Sequence, residues 1–140
     1  MNKNLGKNSL DDKELCIAIR DELEKADWIV TFYGLGFDLK FLNSRLLFWN
    51  EKTLSPKLHT DLYRLGKRYF NTSRRSLGVI TAFLGIKGKN HVDMTLWMEA
   101  AWNGDKVALK YIVDHNIKDV EITAKLFLRL RSLIKSVSLA

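Results

Sequence analysis

Two stretches of this chain read as strands, and that shortage most constrains its fold. "DWIVTFY" (27–33) is a continuous apolar, β-branched run, the pattern of a strand covered on both faces. "LHTDLYRL" (58–65), after a loop holding the one proline, Pro56, reads as the second. Two strands seldom form a stable sheet without further partners or extensive helix cover. The remaining residues must therefore supply that cover, or strands must come from elsewhere.

The rest of the chain is helical in period. Ser9 and Asp12 pair as caps for a helix running to about Ala26, with Leu15, Ile19 and Leu23 on one face. Gly34 and Gly36 end the first strand, and 37–50 resumes helical spacing through Phe37, Phe41, Leu42 and Leu46. A helix over 73–84 turns Leu77, Ile80 and Leu84 inward and stops at Gly85. Residues 91–104 follow, then 105–135 as one or two helices carrying Leu109, Ile112, Val113, Val120 and Phe127. The expected architecture is α/β with helices in excess, a single domain over 10–135, and tails at 1–9 and 136–140. Trp28, Trp49, Trp97 and Trp102 are expected in the core.

Composition narrows the class. The 140 residues are 46% hydrophobic and 28% charged, as in a folded domain rather than a disordered chain. No uncharged apolar run is long enough for a membrane helix, and "MNKNLGKNSLDDKEL" lacks the apolar core of a secretory signal, so a cytoplasmic address and no membrane partner are expected. The single cysteine, Cys16, cannot form an internal disulfide and reads as a small buried hydrophobe. Net charge is +7, with 23 basic against 16 acidic side chains, concentrated in 66–75, 85–89 and 129–135. Such a surface attracts phosphate backbones, although basic proteins also use charge simply for solubility.

Two carboxylates stand out. Asp38 follows a Gly-spaced turn at the end of a buried strand, the sheet edge where α/β proteins build sites. Alone it is more simply explained as an acid favoured by a helix N-terminus. Asp119 lies in mid-helix, where aspartate has poor propensity and caps nothing; a solvated edge position is its plain explanation. His115, one turn earlier, shares its face. A carboxylate holding a divalent cation beside an imidazole that positions water is chemistry suited to phosphodiester hydrolysis.

The order of "VTFYGLGFDLKFLNSRL" (30–46), "HTDLYRLGKRYF" (59–70), "RRSLGVITAFLGI" (74–86) and "IVDHNIKDVEIT" (112–123) resembles the RNase H-like 3′-to-5′ exonucleases of the DEDD group. Within that group the branch related to the proofreading domain of family-B DNA polymerases is the most similar, over about residues 10 to 134. The resemblance implies a second-motif acid at Asp38, a third-motif acid at Asp119, and His115 as the residue that serves the attacking water. It implies a two-metal Mg²⁺ or Mn²⁺ site at Asp38 and Asp119, with His59 and Asp61 as near-site or structural residues. Lys67, Arg68, Arg74 and Arg75 would track the backbone of a single strand, and Tyr33, Tyr69 and Phe70 are the aromatics placed to stack on unpaired bases, core packing being the plainer explanation for Phe70.

The sequence departs from this pattern in two places. The family usually has Asn where Tyr33 stands. Its first motif, an Asp-x-Glu on the first strand of a meander, is expected ahead of residue 10; Asp12–Glu14 and Asp119–Glu121 do not follow an apolar strand. The resemblance therefore implies an RNase H-like fold short of its first three strands. It also implies an N-terminal segment or another chain that completes sheet and site. The alternatives are a non-catalytic remnant that binds nucleic acid or a protein partner, and a wholly structural domain.

Overall fold

A computed structural model describes residues 11–88 and 93–139. The expected tail at 1–9, with Ser9, lies outside the described residues, as do the first two positions of the stretch 91–104. The elements run α1 (Lys13–Glu24), β1 (Trp28–Thr31), α2 (Asp38–Phe48), β2 (Leu58–Asp61), α3 (Leu62–Tyr69), α4 (Leu77–Phe83), α5 (Met94–Trp102), α6 (Lys106–Leu130) and β3 (Ser138–Leu139). The helix-rich α/β expectation holds, with β1 and β2 as a parallel pair joined by the α2 crossover.

Sheet order is β1-β2-β3. In the parallel pair Trp28 stands beside Leu58, Ile29 beside His59, Val30 beside Thr60 and Thr31 beside Asp61. β3 pairs antiparallel with β2, so the expected C-terminal tail contributes a short strand. Because side chains alternate along a strand, Val30 and Phe32 share one face. There they pack on Leu62, Leu77, Ile80, Ile122, Leu126 and Leu130, a cluster drawn from α3, α4 and α6. A second cluster, Cys16 with Leu42 and Leu46, joins α1 to α2.

Several expected boundaries move, each for a local reason. β1 ends at Thr31 because the backbone turns sharply after Phe32. The run at 58–65 is half strand and half helix: the Asp61 side chain accepts from Tyr63 N, which starts α3. Ser76 caps α4 in the same way, so that helix begins at Leu77 rather than Ser73. Gly85 does stop it, at φ 70. Asp12 precedes α1 but makes no side-chain cap bond. Its carboxylate instead crosses to α2, accepting from Arg45 Nε at 2.8 Å, Arg45 Nη2 at 2.6 Å and Trp49 Nε1 at 2.7 Å. The Arg45 guanidinium, helped by the Trp49 indole, holds Asp12 down to about 2 against an upward push from burial.

The expected apolar faces are corrected more heavily. On α2, Leu42 and Leu46 are buried while Phe37 and Phe41 stack on each other at the surface. On α6, Ile112, Ile122 and Leu126 are buried, whereas Leu109, Val113 and Val120 are exposed. Trp102 is 77% exposed, and Trp97 and Trp28 are also exposed. A sheet of three short strands covers too little of the helical surface to bury every apolar side chain that the helices carry. Among the described residues no helix is long and apolar enough to cross a membrane.

Candidate nucleic-acid cleft

The turn that leaves β1 brings Asp38 to its position. Tyr33 adopts φ 66, a conformation that costs a bulky residue energy and persists only where surroundings enforce it. Its carbonyl accepts from Gly36 N at 3.0 Å and Phe37 N at 3.1 Å, which folds the chain back into α2 with Asp38 as the first helical residue. The glycines serve close approach rather than unusual dihedrals. A Cβ on Gly34 would fall 2.6 Å from the Thr31 side chain, and one on Gly36 would fall 2.5 Å from the Tyr33 ring.

β2 holds this turn from beside it. Asp61 Oδ1 accepts from Tyr33 N at 2.9 Å and Oδ2 accepts from Leu35 N at 3.1 Å. Thr31 Oγ1 accepts from Gly34 N at 3.2 Å and contacts His59 Nε2 at 2.9 Å. His59 and Asp61 of the "HTD" triplet therefore both act on the β1 exit turn. Burial pushes the His59 imidazole below its ordinary range, partly offset by the neighbouring Asp61 carboxylate.

A cleft of about 780 Å³ opens at this end of the sheet. Asp38 and Asp119 both line it, together with Tyr33, Tyr63, Arg75 and Asn116. Asp119 reaches it from the middle of α6, where Thr123 Oγ1 donates to its backbone carbonyl at 2.7 Å. His115 Nε2 stands 3.4 Å from Asp119 Oδ2, but its ring lines a separate hollow of about 110 Å³ with Tyr111, Asp114 and Lys118. Of the four basic residues singled out in the sequence, Arg75 lines the cleft. Arg74 is exposed nearby in sequence, while Lys67 and Arg68 occupy the last turn of α3, with Arg68 over the Tyr69 ring.

Tyr63, Asn116 and Ser76 also line the cleft and were not anticipated. Asn116 had a usable signal, since it lies three residues before Asp119 and so on the same helical face. Tyr63 has none, because 58–65 reads as one strand throughout.

The donor set suits a hard cation in kind: two carboxylates and an amide oxygen are ligands that Mg²⁺ and Mn²⁺ accept. In number it suits one ion that keeps waters and takes further oxygens from a phosphate. Among the described residues no group of three or more His, Cys, Asp or Glu is gathered to hold a metal, so a two-metal site does not fit these side chains alone. In comparisons with known proteins, the family RNase_H_2, of the RNase H superfamily, matches residues 2–131. No curated protein matches the chain.

Proposed function

Because the chain belongs to the RNase H superfamily, whose nucleases generally use divalent metals, we propose that it is a metal-dependent 3′-to-5′ exonuclease of the DEDD group. Within that group it is related to the branch that includes family-B polymerase proofreading domains. The observation that carries this reading is the convergence of Asp38 and Asp119, 81 positions apart in sequence (119 − 38), on one cleft that also holds Arg75.

Each side chain has a part. Asp38 and Asp119 present hard oxygens that would hold Mg²⁺ or Mn²⁺. When bound, such a cation neutralises phosphate charge and activates water. Arg75 offers a guanidinium fork to a backbone phosphate, and Tyr33 offers a ring to an unpaired base. His115 braces the Asp119 carboxylate and, by resemblance, serves the water; Lys67, Arg68 and Arg74 extend the basic track. Two further acids are needed for a second cation. They would come from an Asp-x-Glu strand, in an N-terminal segment or another chain, added beside β1. The substrate is the end of a single strand, and the setting is cytoplasmic.

The test uses an end-labelled single-stranded oligonucleotide with Mn²⁺. The 3′ end should be trimmed stepwise and a circular strand spared. Asp38→Asn and Asp119→Asn should each lower the rate by about a hundredfold or more without unfolding the protein. Undiminished hydrolysis by Asp119→Asn would refute the assignment. A second reading, a non-catalytic remnant that binds nucleic acid or a protein, is favoured by the small donor set among the described residues. A chain that binds the strand yet cleaves nothing would select it.

A further inference from the structure

Asp61 makes three backbone hydrogen bonds, and only one of them is needed to start α3. That one runs from Tyr63 N to Oδ1 at 3.0 Å. The other two reach back 28 and 26 residues, to Tyr33 N and Leu35 N in the turn that leaves β1. A helix cap alone requires neither. One carboxylate oxygen thus ties together the amides of Tyr33 and Tyr63, and the second oxygen fixes the turn between Tyr33 and Asp38.

The side chains of those two residues meet. Their rings stand 4.8 Å apart at 71°, an edge-to-face pair, and Phe32 packs edge-on against Tyr63 from 6.0 Å. The bare Cα of Gly36 lies against the Tyr33 ring, where a Cβ would displace it. Both tyrosines line the same cleft as Asp38, Asp119 and Arg75. Asp61 itself is 6% exposed, so its charge is withdrawn from water and answered by these three N–H groups.

We infer that Asp61 is a positioning residue that holds Tyr33 and Tyr63 as a paired aromatic wall for an unpaired base. This rests on the nuclease reading of the cleft and names the part of the substrate that the wall receives. Every base presents a face to such rings, so the wall selects unpaired ends over duplex with little regard to sequence. The strained backbone of Tyr33 is the cost of aiming its ring there, and the Asp61 bonds offset it.

The test is a single strand ending in 2-aminopurine, whose emission falls on stacking, titrated into the full chain. The unmutated protein should bind it with quenching. Asp61→Ser keeps a residue that caps helices well but has no second oxygen to reach residues 33 and 35. It should bind about tenfold more weakly and lose the quench. In hydrolysis it should raise KM while kcat stays within about twofold. A merely structural role would instead shrink the active fraction, lowering kcat with KM unchanged. Asp61→Asn, which keeps one acceptor for both tyrosine amides, should recover part of the affinity. If Asp61→Ser does not fold, Tyr63→Ala against Tyr63→Phe carries the same comparison, with only Phe retaining the quench. Binding by the unmutated protein without quenching, or unchanged quenching in Asp61→Ser, overturns the inference and leaves the nuclease reading intact. Full hydrolysis by Asp119→Asn overturns the nuclease reading whatever the fluorescence shows.

Discussion

Gly34→Ala and Gly36→Ala are the same chemical change two residues apart, and the structure gives them opposite consequences. At Gly34 the added Cβ would stand 2.6 Å from Cβ, Cγ2 and Oγ1 of Thr31 alike. Thr31 belongs to β1 and its Cβ cannot move without the strand, so relief requires a backbone shift. Overpacking of this kind costs about 1–3 kcal/mol. The shift also endangers the Gly34 N–H bond to Thr31 Oγ1, worth about 0.5–1.5 kcal/mol. Together the loss is about 2–4 kcal/mol, a large share of the stability of an ordinary domain. At Gly36 the obstacle is the outer ring of Tyr33, a side chain that is 48% exposed and can rotate away. Its displacement costs about 0.5–1.5 kcal/mol at most. Urea unfolding followed by tryptophan fluorescence measures both. Gly34→Ala should lower the midpoint sharply at unchanged m, and Gly36→Ala should barely move it yet weaken binding of an unpaired end. Equal stabilities for the two variants, or a Gly34→Ala protein within about 0.5 kcal/mol of the parent, would refute the close-approach argument.

Acid should weaken the α1–α2 contact. Asp12 is held down to about 2 against an ordinary 3.8, so its ion pair is fully present above about pH 4 and is lost as pH falls through 2. The shift corresponds to about 2 kcal/mol, reduced to about 1 by solvent because the side chain is 28% exposed. Denaturation of Asp12→Asn should show that deficit at pH 6 and only a small part of it at pH 2; a constant deficit would contradict it. His59 acts in the same direction: burial lowers its pKa, so acidification below its ordinary 6.5 costs further stability, which His59→Gln should remove from the pH profile. Arg75→Ala should weaken single-strand binding and flatten its salt dependence by about one charge, whereas Arg74→Ala should do less because Arg75 is the cleft-lining member of the pair.

How legible the fold was depended on the range of the forces involved. The two strands, the helix between them and the stop at Gly85 follow from local signals: β-branched runs, helical period and a glycine after the last periodic residue. The start of α3 did not, because "LHTDLYRL" is apolar enough for a strand throughout and only the Asp61 cap decides the change at Leu62. Exposure of Val113, Val120 and Trp102 was illegible too, since period shows which residues share a face and not whether anything covers it. At the cleft, the Gly-spaced turn and the mid-helix acid pointed to Asp38 and Asp119. The part played by Asp61 needed three contacts, two of them more than 25 residues distant, that no spacing encodes. His115 shares a helical face with Asp119 as its spacing requires, yet a shared face did not mean a shared cavity.

The two cleft acids are unequally mounted. Asp119 rides near the midpoint of α6, a rod of 25 residues and about 37 Å whose far half is locked into the main core. Asp38 hangs from a five-residue bend, 33–37, kept in shape by two hydrogen bonds to Asp61 at the end of β2 and one to Thr31 of β1. One jaw is fixed and the other is sprung. Any adjustment of the gap between them, as a cation or a strand enters, must therefore be taken up by that bend.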